Sequence, residues 1–241
     1  MVTQQASSTF AANVIEFFQT AVRPDIALAG FSIMDPFQEV AVQQAVHDFY
    51  TRYSNDPHER LFLIGINPGR FGGGITGIPF TDPHALREIC GIESTLAGKR
   101  ELSAEFIYQM IDHLGGPQLF YRDCYLAAVF PFALIRDGKN VNYYDDRALQ
   151  EALTPYIVET VHRQLAFGAR RDVAIVLGTG KNYRYFRQLN DEHQFWERLI
   201  PIEHPRFIMQ YRRKRVPEYL DRYRDTIRAV LEARPDDSRT L

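Results

Sequence analysis

The sequence predicts an α/β fold, a three-layer α/β/α sandwich around a mostly parallel four-stranded sheet. Four short apolar runs, Leu61–Ile64, Tyr125–Phe132, Val173–Leu177 and Leu199–Ile202, have the unbroken apolar character of strands covered on both faces. Helical patterns lie between them, the alternation that parallel strands need for their crossovers. Three of the runs end abruptly, at Gly65 and Asn67-Pro68-Gly69, at Pro131, and at Gly178-Thr179-Gly180. With 241 residues, 45% hydrophobic and 13% aromatic, the chain can bury one sizeable core. A single domain over 1–241 is expected, with about 1–33 as a helical extension and 235–241 as a frayed tail.

Ser7-Ser8-Thr9 can cap a helix reaching about Ala21, in which Phe10, Val14, Phe17, Phe18 and Val22 recur at helical spacing until Pro24 stops it. The apolar stretch Ala27–Phe37 is ambiguous between helix and strand. Pro36 opens a second helical pattern through Val40, Val46 and Tyr50. Beyond the strand at Leu61, short and longer helices are expected at Pro83–Ile89 and Ala104–Leu114, the latter capped by Ser103 and broken by Gly115-Gly116-Pro117. The polar segment Arg136–Asp146 reads as a loop turning at Gly138. Arg147–Phe167 has a helical period in which Pro155 must lie in the first turns or divide the helix. Asn182–Leu189 and Val216–Leu231 complete the helices.

Formal charge is −2 and pI about 6.4, so any nucleic-acid contact must come from a local basic patch. Cys90 and Cys124 are the only cysteines and lack metal-ligand spacing, which excludes an iron–sulfur cluster on count. Met1–Phe10 is polar, and no uncharged apolar run approaches the roughly 18 residues of a membrane span. A soluble, cytoplasmic monomer without a membrane contact is expected.

Leu61–Pro83 is the chemically suggestive stretch. Asn67 follows a buried strand, at the edge where open α/β sheets bind ligands, and glycines 69, 72, 73 and 74 let backbone N–H groups approach a bound group closely. A flexible surface turn is the simpler reading of those glycines. Stiffening by Pro68 and Pro79, and the placement of Thr76 and Phe80, argue for a built site. A phosphate loop fails on spacing: no Gly-Lys-Ser/Thr follows Gly65, and Gly178-Thr179-Gly180-Lys181 continues into Asn182. A metal-dependent nucleotide hydrolase also lacks support, because Asp82 and Glu88 form no evident cluster.

Gly65-Ile66-Asn67-Pro68-Gly69, Phe71-Gly72 and Thr76-Gly77-Ile78-Pro79-Phe80 together resemble the first motif of the single-strand-selective monofunctional uracil-DNA glycosylases, within the uracil-DNA glycosylase superfamily. Glu203-His204-Pro205-Arg206 resembles that family's His-Pro motif, and the likeness runs from about Met34-Asp35-Pro36 onward. The resemblance implies removal of uracil, and of other deaminated bases, flipped out of DNA, without a metal or other cofactor. Asn67 would orient the attacking water, being too weak a base to deprotonate it, and His204 would hydrogen-bond the carbonyl on which negative charge develops. Phe80, thirteen residues after Asn67, would stack on the base. Ile66, Gly69, Phe71 and Gly73 would face its edge.

DNA contacts are expected from Arg70 and from the stretch after His204. There Phe207, Ile208 and Met209 form an apolar wedge for the gap left by the flipped nucleotide, and Arg206, Arg212, Arg213 and Lys214 meet phosphates. A buried strand followed by a solvated basic helix start is the alternative for the same residues. One position departs from the family pattern. Where the family has a base-reading asparagine, three residues before Pro131, this chain has Ala128, and Asn140 or Asn142 could substitute from the following loop. A non-catalytic nucleic-acid or nucleotide binder that retained the fold is the competing function.

Overall fold

The computed structural model describes residues 8–26 and 28–233. In chain order the elements are α1 (Phe10–Gln19), β1 (Phe31–Met34), α2 (Val40–Ser54), β2 (Arg60–Gly65), α3 (Gly73–Thr76), α4 (Pro83–Glu88), α5 (Leu102–His113), α6 (Pro117–Asp123), β3 (Cys124–Ala128), β4 (Ala133–Arg136), β5 (Lys139–Val141), α7 (Arg147–Leu165), β6 (Ala169–Leu177), α8 (Lys181–His193), β7 (Arg198–Ile202), α9 (Pro205–Tyr211) and α10 (Val216–Glu232). The main sheet has the order β3-β2-β6-β7 and every pair is parallel. Central β2 is buried along its whole length, which is why it reads as an unbroken apolar run.

A second sheet was not expected. Strands β1, β4 and β5 form an antiparallel sheet in the order β1-β4-β5, so the ambiguous 27–37 stretch holds a strand and most of the supposed 136–146 loop is a hairpin. The turn is Asp137-Gly138, both with positive φ, 49° and 69°. An Asp-Gly pair takes that conformation readily and matches the twist of paired strands. The apolar run at 125–132 divides accordingly: β3 stops at Ala128, the chain turns through Phe130-Pro131, and Ala133 starts β4 in the small sheet.

The first helix is part of the core. Thr9 accepts the Ala12 N–H at 3.2 Å and caps α1, while Ser7, also expected to cap, lies outside the described residues, as does the tail 235–241. Phe10 is fully buried and packs edge-on against Phe62, Tyr125 and Phe167. Its ring also covers the guanidinium of Arg60 at 4.4 Å. That arginine is itself wholly buried at the start of β2 and donates to Tyr121 O, His58 O and Asp56 Oδ2, each at 2.8 Å. Burying the charge is tolerable only with such partners. Helix α7 continues unbroken through Pro155, well past its first turn. Helix α5 starts at Leu102, ahead of the expected Ser103 cap, which is buried within the first turn.

Candidate active site

The parallel strands bring three distant residues to one edge. Asn67 follows β2, Ala128 ends β3 and His204 follows β7, and all three line a cavity of about 380 Å³ with Ile66, Gly69, Gly73 and Phe80. The carboxyl edge of a parallel sheet is the expected ligand site in such folds.

Asn67 is held from the small sheet. Its Oδ1 accepts the Tyr143 N–H at 3.2 Å and its Nδ2 donates to Val141 O at 3.1 Å. The β4–β5 hairpin therefore fixes the amide's orientation, and one Oδ1 lone pair is left over, since a carbonyl oxygen has two. The hydroxyl of buried Tyr143 in turn donates to Asn182 Oδ1 at 2.6 Å.

Phe80 has a positive φ of 57°, a strained choice for a large side chain. Two threonines stabilise the turn that imposes it. Thr76 Oγ1 donates to Thr81 O at 2.7 Å, and the Thr81 hydroxyl bonds Pro79 O at 3.2 Å and Tyr108 OH at 2.8 Å. The ring then lies over Gly65, where a Cβ would come within 2.5 Å of Cζ. On the cavity side its centroid is 5.9 Å from that of His204.

His204 is the N-cap of α9, and its Nδ1 accepts the Arg206 N–H at 3.1 Å. Burial, with Arg206 nearby adding to it, lowers its pKa from 6.5 to about 4. At neutral pH the ring is uncharged, and the bond to Nδ1 puts its proton on Nε2. The preceding residue is anchored by Tyr223, whose hydroxyl donates to Glu203 O, and by Arg222, 2.9 Å from Glu203 Oε1.

Other expected residues fall elsewhere. Phe71 is outside the cavity wall; its ring carries the guanidinium of Arg70 at 4.5 Å. Arg70 also donates through Nη1 to Gly138 O and through its backbone N–H to Asn140 Oδ1, so its charge is turned toward the hairpin. The wedge is corrected by the helix: in α9, Ile208 and Met209 face the core, 0% and 3% exposed, whereas Phe207 and Tyr211 are 40% and 61% exposed with ring centroids 5.6 Å apart. Residues 207 and 211 share a face because they are one turn apart. Arg206, which lines the cavity, is exposed, as are Arg212 and Lys214; Arg213 is paired with Glu105 at 3.2 Å.

Sequence reading also missed Glu101, which lines the cavity. Its one local signal is a glutamate at a helix N-cap, where Ser, Thr, Asp or Asn is usual. The Asp137-Gly138 turn was the available signal for the hairpin that clamps Asn67. Among the described residues, no three His, Cys, Asp or Glu side chains gather into a group able to hold a metal.

The family model for the uracil DNA glycosylase superfamily matches residues 51–228. Three mammalian proteins described as single-strand selective monofunctional uracil-DNA glycosylases are similar over part of the chain. The Rattus norvegicus protein is 29% identical over 116 residues, covering 41% of each chain. That of Mus musculus is 28% identical over 153 residues, covering 56% of this chain and 53% of its own. That of Bos taurus is 31% identical over 114 residues, covering 39% and 40%. The matched stretch thus spans about half, or less, of these relatives' length. The crystal structure of wild-type Pedobacter heparinus SMUG2 is similar with a TM-score of 0.89 and 38% identity, covering 93% of this chain and 99% of that one. With a family match over more than half its length, on a fold that gathers the motif residues at one sheet edge, this chain belongs to the uracil DNA glycosylase superfamily.

Proposed function

We propose that this protein is a monofunctional DNA glycosylase that hydrolyses the N-glycosidic bond of uracil, and of other deaminated bases, flipped out of DNA, and that it acts as a monomer. The convergence of Asn67, Phe80 and His204 on one cavity carries the reading. A base entering the cavity stacks on Phe80, whose ring is held by Gly65 and the Thr76–Thr81 turn. Water held by the free lone pair of Asn67 Oδ1 adds to the anomeric carbon as the bond to the base nitrogen breaks. The electron pair leaves with the base, and the water's proton ends on the products. His204 Nε2–H donates to the base carbonyl as it gains negative charge, a contact stronger in the transition state than in the ground state. Among the described residues no lysine lines the cavity to form a Schiff base, which supports base removal without strand cleavage.

On α9, exposed Phe207 and Tyr211 are suited to fill the gap in the stack, with Arg206, Arg212 and Lys214 at the flanking phosphates. Incubation with an end-labelled uracil-containing oligonucleotide, followed by alkali, tests the reading. Strand breaks appearing only after alkali are expected. Binding that leaves no abasic sites would overturn it in favour of a non-catalytic binder.

A further inference from the structure

Glu101 stands in the cavity wall without a part in the chemistry above. Its backbone N–H donates to Asp82 Oδ2 at 2.8 Å, which pins the start of α5 to the start of α4. From there the side chain reaches into the notch of the Gly-rich loop. A Cβ on Gly69 would come within 2.3 Å of Glu101 Oε1, and one on Gly72 within 1.8 Å of Oε2. Neither glycine has a positive φ. Their lack of a side chain makes room for the carboxyl.

Among the described residues no hydrogen bond satisfies that carboxyl. The two amides that could read a base in place of Ala128 are each engaged through one atom: Asn140 Oδ1 accepts the Arg70 N–H at 3.1 Å, and Asn142 Nδ2 donates to Asp145 Oδ2 at 3.1 Å. The edge common to uracil, hypoxanthine and xanthine is a carbonyl beside an N–H, which calls for one donor and one acceptor. A neutral carboxyl offers both. We propose that Glu101, in its protonated form, hydrogen-bonds the flipped base and supplies the donor and acceptor that Ala128 lacks. This rests on the glycosylase reading of the site and names the group that recognises the base.

The surroundings favour the protonated form. Burial raises the Glu101 pKa from 4.5 to about 7, Asp82 at the start of α4 pushes the same way, and Arg206 on α9 opposes them. Arg70, from the Gly-rich loop, is taken up by Gly138 and Phe71, and His204 is neutral over this range. Once ionised, Glu101 loses its donor and sets a negative charge beside a carbonyl that becomes more negative during bond cleavage. Base removal should therefore weaken as the pH rises through about 7.

The test is single-turnover release of uracil from a labelled single-stranded oligonucleotide between pH 5.5 and 8.5, for wild type, Glu101→Gln and Glu101→Ala, with circular dichroism to confirm folding. Wild type should lose rate toward about tenfold per pH unit above about 7. Glu101→Gln retains a donor and an acceptor at every pH, and should start about threefold below wild type at pH 6 yet overtake it by pH 8.5. Glu101→Ala should fall about 10–100-fold below wild type at pH 6 and show no decline with pH. A Gln variant with the wild-type pH profile, or an Ala variant as fast as wild type, would overturn the inference. A purely structural role would slow both variants without removing the pH dependence. Wild type that releases no base at any pH would instead defeat the glycosylase reading itself.

Discussion

His204 Nδ1 accepts the backbone N–H of Arg206, two residues along, at 3.1 Å. That single bond caps α9, holds the ring and reserves Nε2–H as the donor of a side chain that lines the cavity. The low pKa of about 4 keeps the donor neutral through the physiological range. His204→Ala and Asn67→Ala should each lower single-turnover excision by roughly 10²–10³, the scale for one preorganised transition-state contact. Because His204 gains its charge only near pH 4, excision should show no loss from its protonation between pH 7 and 5. A decline with a midpoint near 6.5 would show that the ring titrates as if exposed.

Phe80 and Gly65 form a pair that cannot be altered independently. A Cβ at 65 would strike the ring at Cζ and Cε2, at 2.5 and 2.6 Å, and the turn holding Phe80 is tied at Thr76 and Thr81. Gly65→Ala should displace the ring and weaken excision by about 5–150-fold, the equivalent of about 1–3 kcal/mol of base stacking. Phe80→Ala should have a similar effect. The double variant should be little worse than either, since both act on one contact. Additive losses would separate the two residues' roles.

In α9 the exposed and buried residues should separate cleanly. Phe207→Ala with Tyr211→Ala should reduce excision from double strands more than from single strands, with the melting temperature nearly unchanged, because only a duplex has a gap to fill. Ile208→Ala should instead destabilise the fold by about 2–5 kcal/mol. Equal losses on both substrates for the aromatic pair would remove it from the duplex interface.

Ala128 forms part of the cavity wall where an amide would impose a hydrogen-bond pattern, and each unsatisfied buried group penalises a mismatched base by about 1–3 kcal/mol. An alanine imposes no such penalty, so at least one deaminated purine should be excised alongside uracil. Ala128→Asn should raise the uracil rate relative to xanthine and hypoxanthine. Matched oligonucleotides carrying each base, measured on both proteins, give the ratio; an unchanged ratio would locate selectivity elsewhere.

Glu101 also links stability to pH. Its pKa is 4.5 when unfolded and about 7 when folded, so the folded state binds the proton more tightly. The resulting stabilisation is complete below about pH 4.5 and is lost as the pH rises to about 7, up to about 3 kcal/mol in all. Glu101→Gln has no such proton, so its urea midpoint should rise relative to wild type between pH 5 and pH 8. A constant difference would mean that the carboxyl titrates normally in the folded protein.

The main sheet was legible because its strands are buried on both faces, so Leu61–Ile64 and Val173–Leu177 carry their burial as unbroken apolar runs. The small sheet was hidden because β4 and β5 are short and partly exposed at Arg136–Val141, leaving the Asp137-Gly138 turn as the only strong local mark. Asn67, Phe80 and His204, which the fold brings to one cavity, could be singled out because motif spacing is a property of the chain. Which neighbour faces which way is not: a run such as Phe207-Ile208-Met209 reads the same as a wedge or as core until α9 is packed, and then helical periodicity turns Ile208 and Met209 inward. Glu101 was beyond local reading altogether. Its charge state and its place in the cavity wall depend on Gly69, Gly72, Asp82 and Arg206, brought together from three segments, and desolvation is a property of that assembly. The sequence by itself determined the parallel sheet and the identity of the motif residues. Only the tertiary structure decided their orientation, their protonation and the company in which they act.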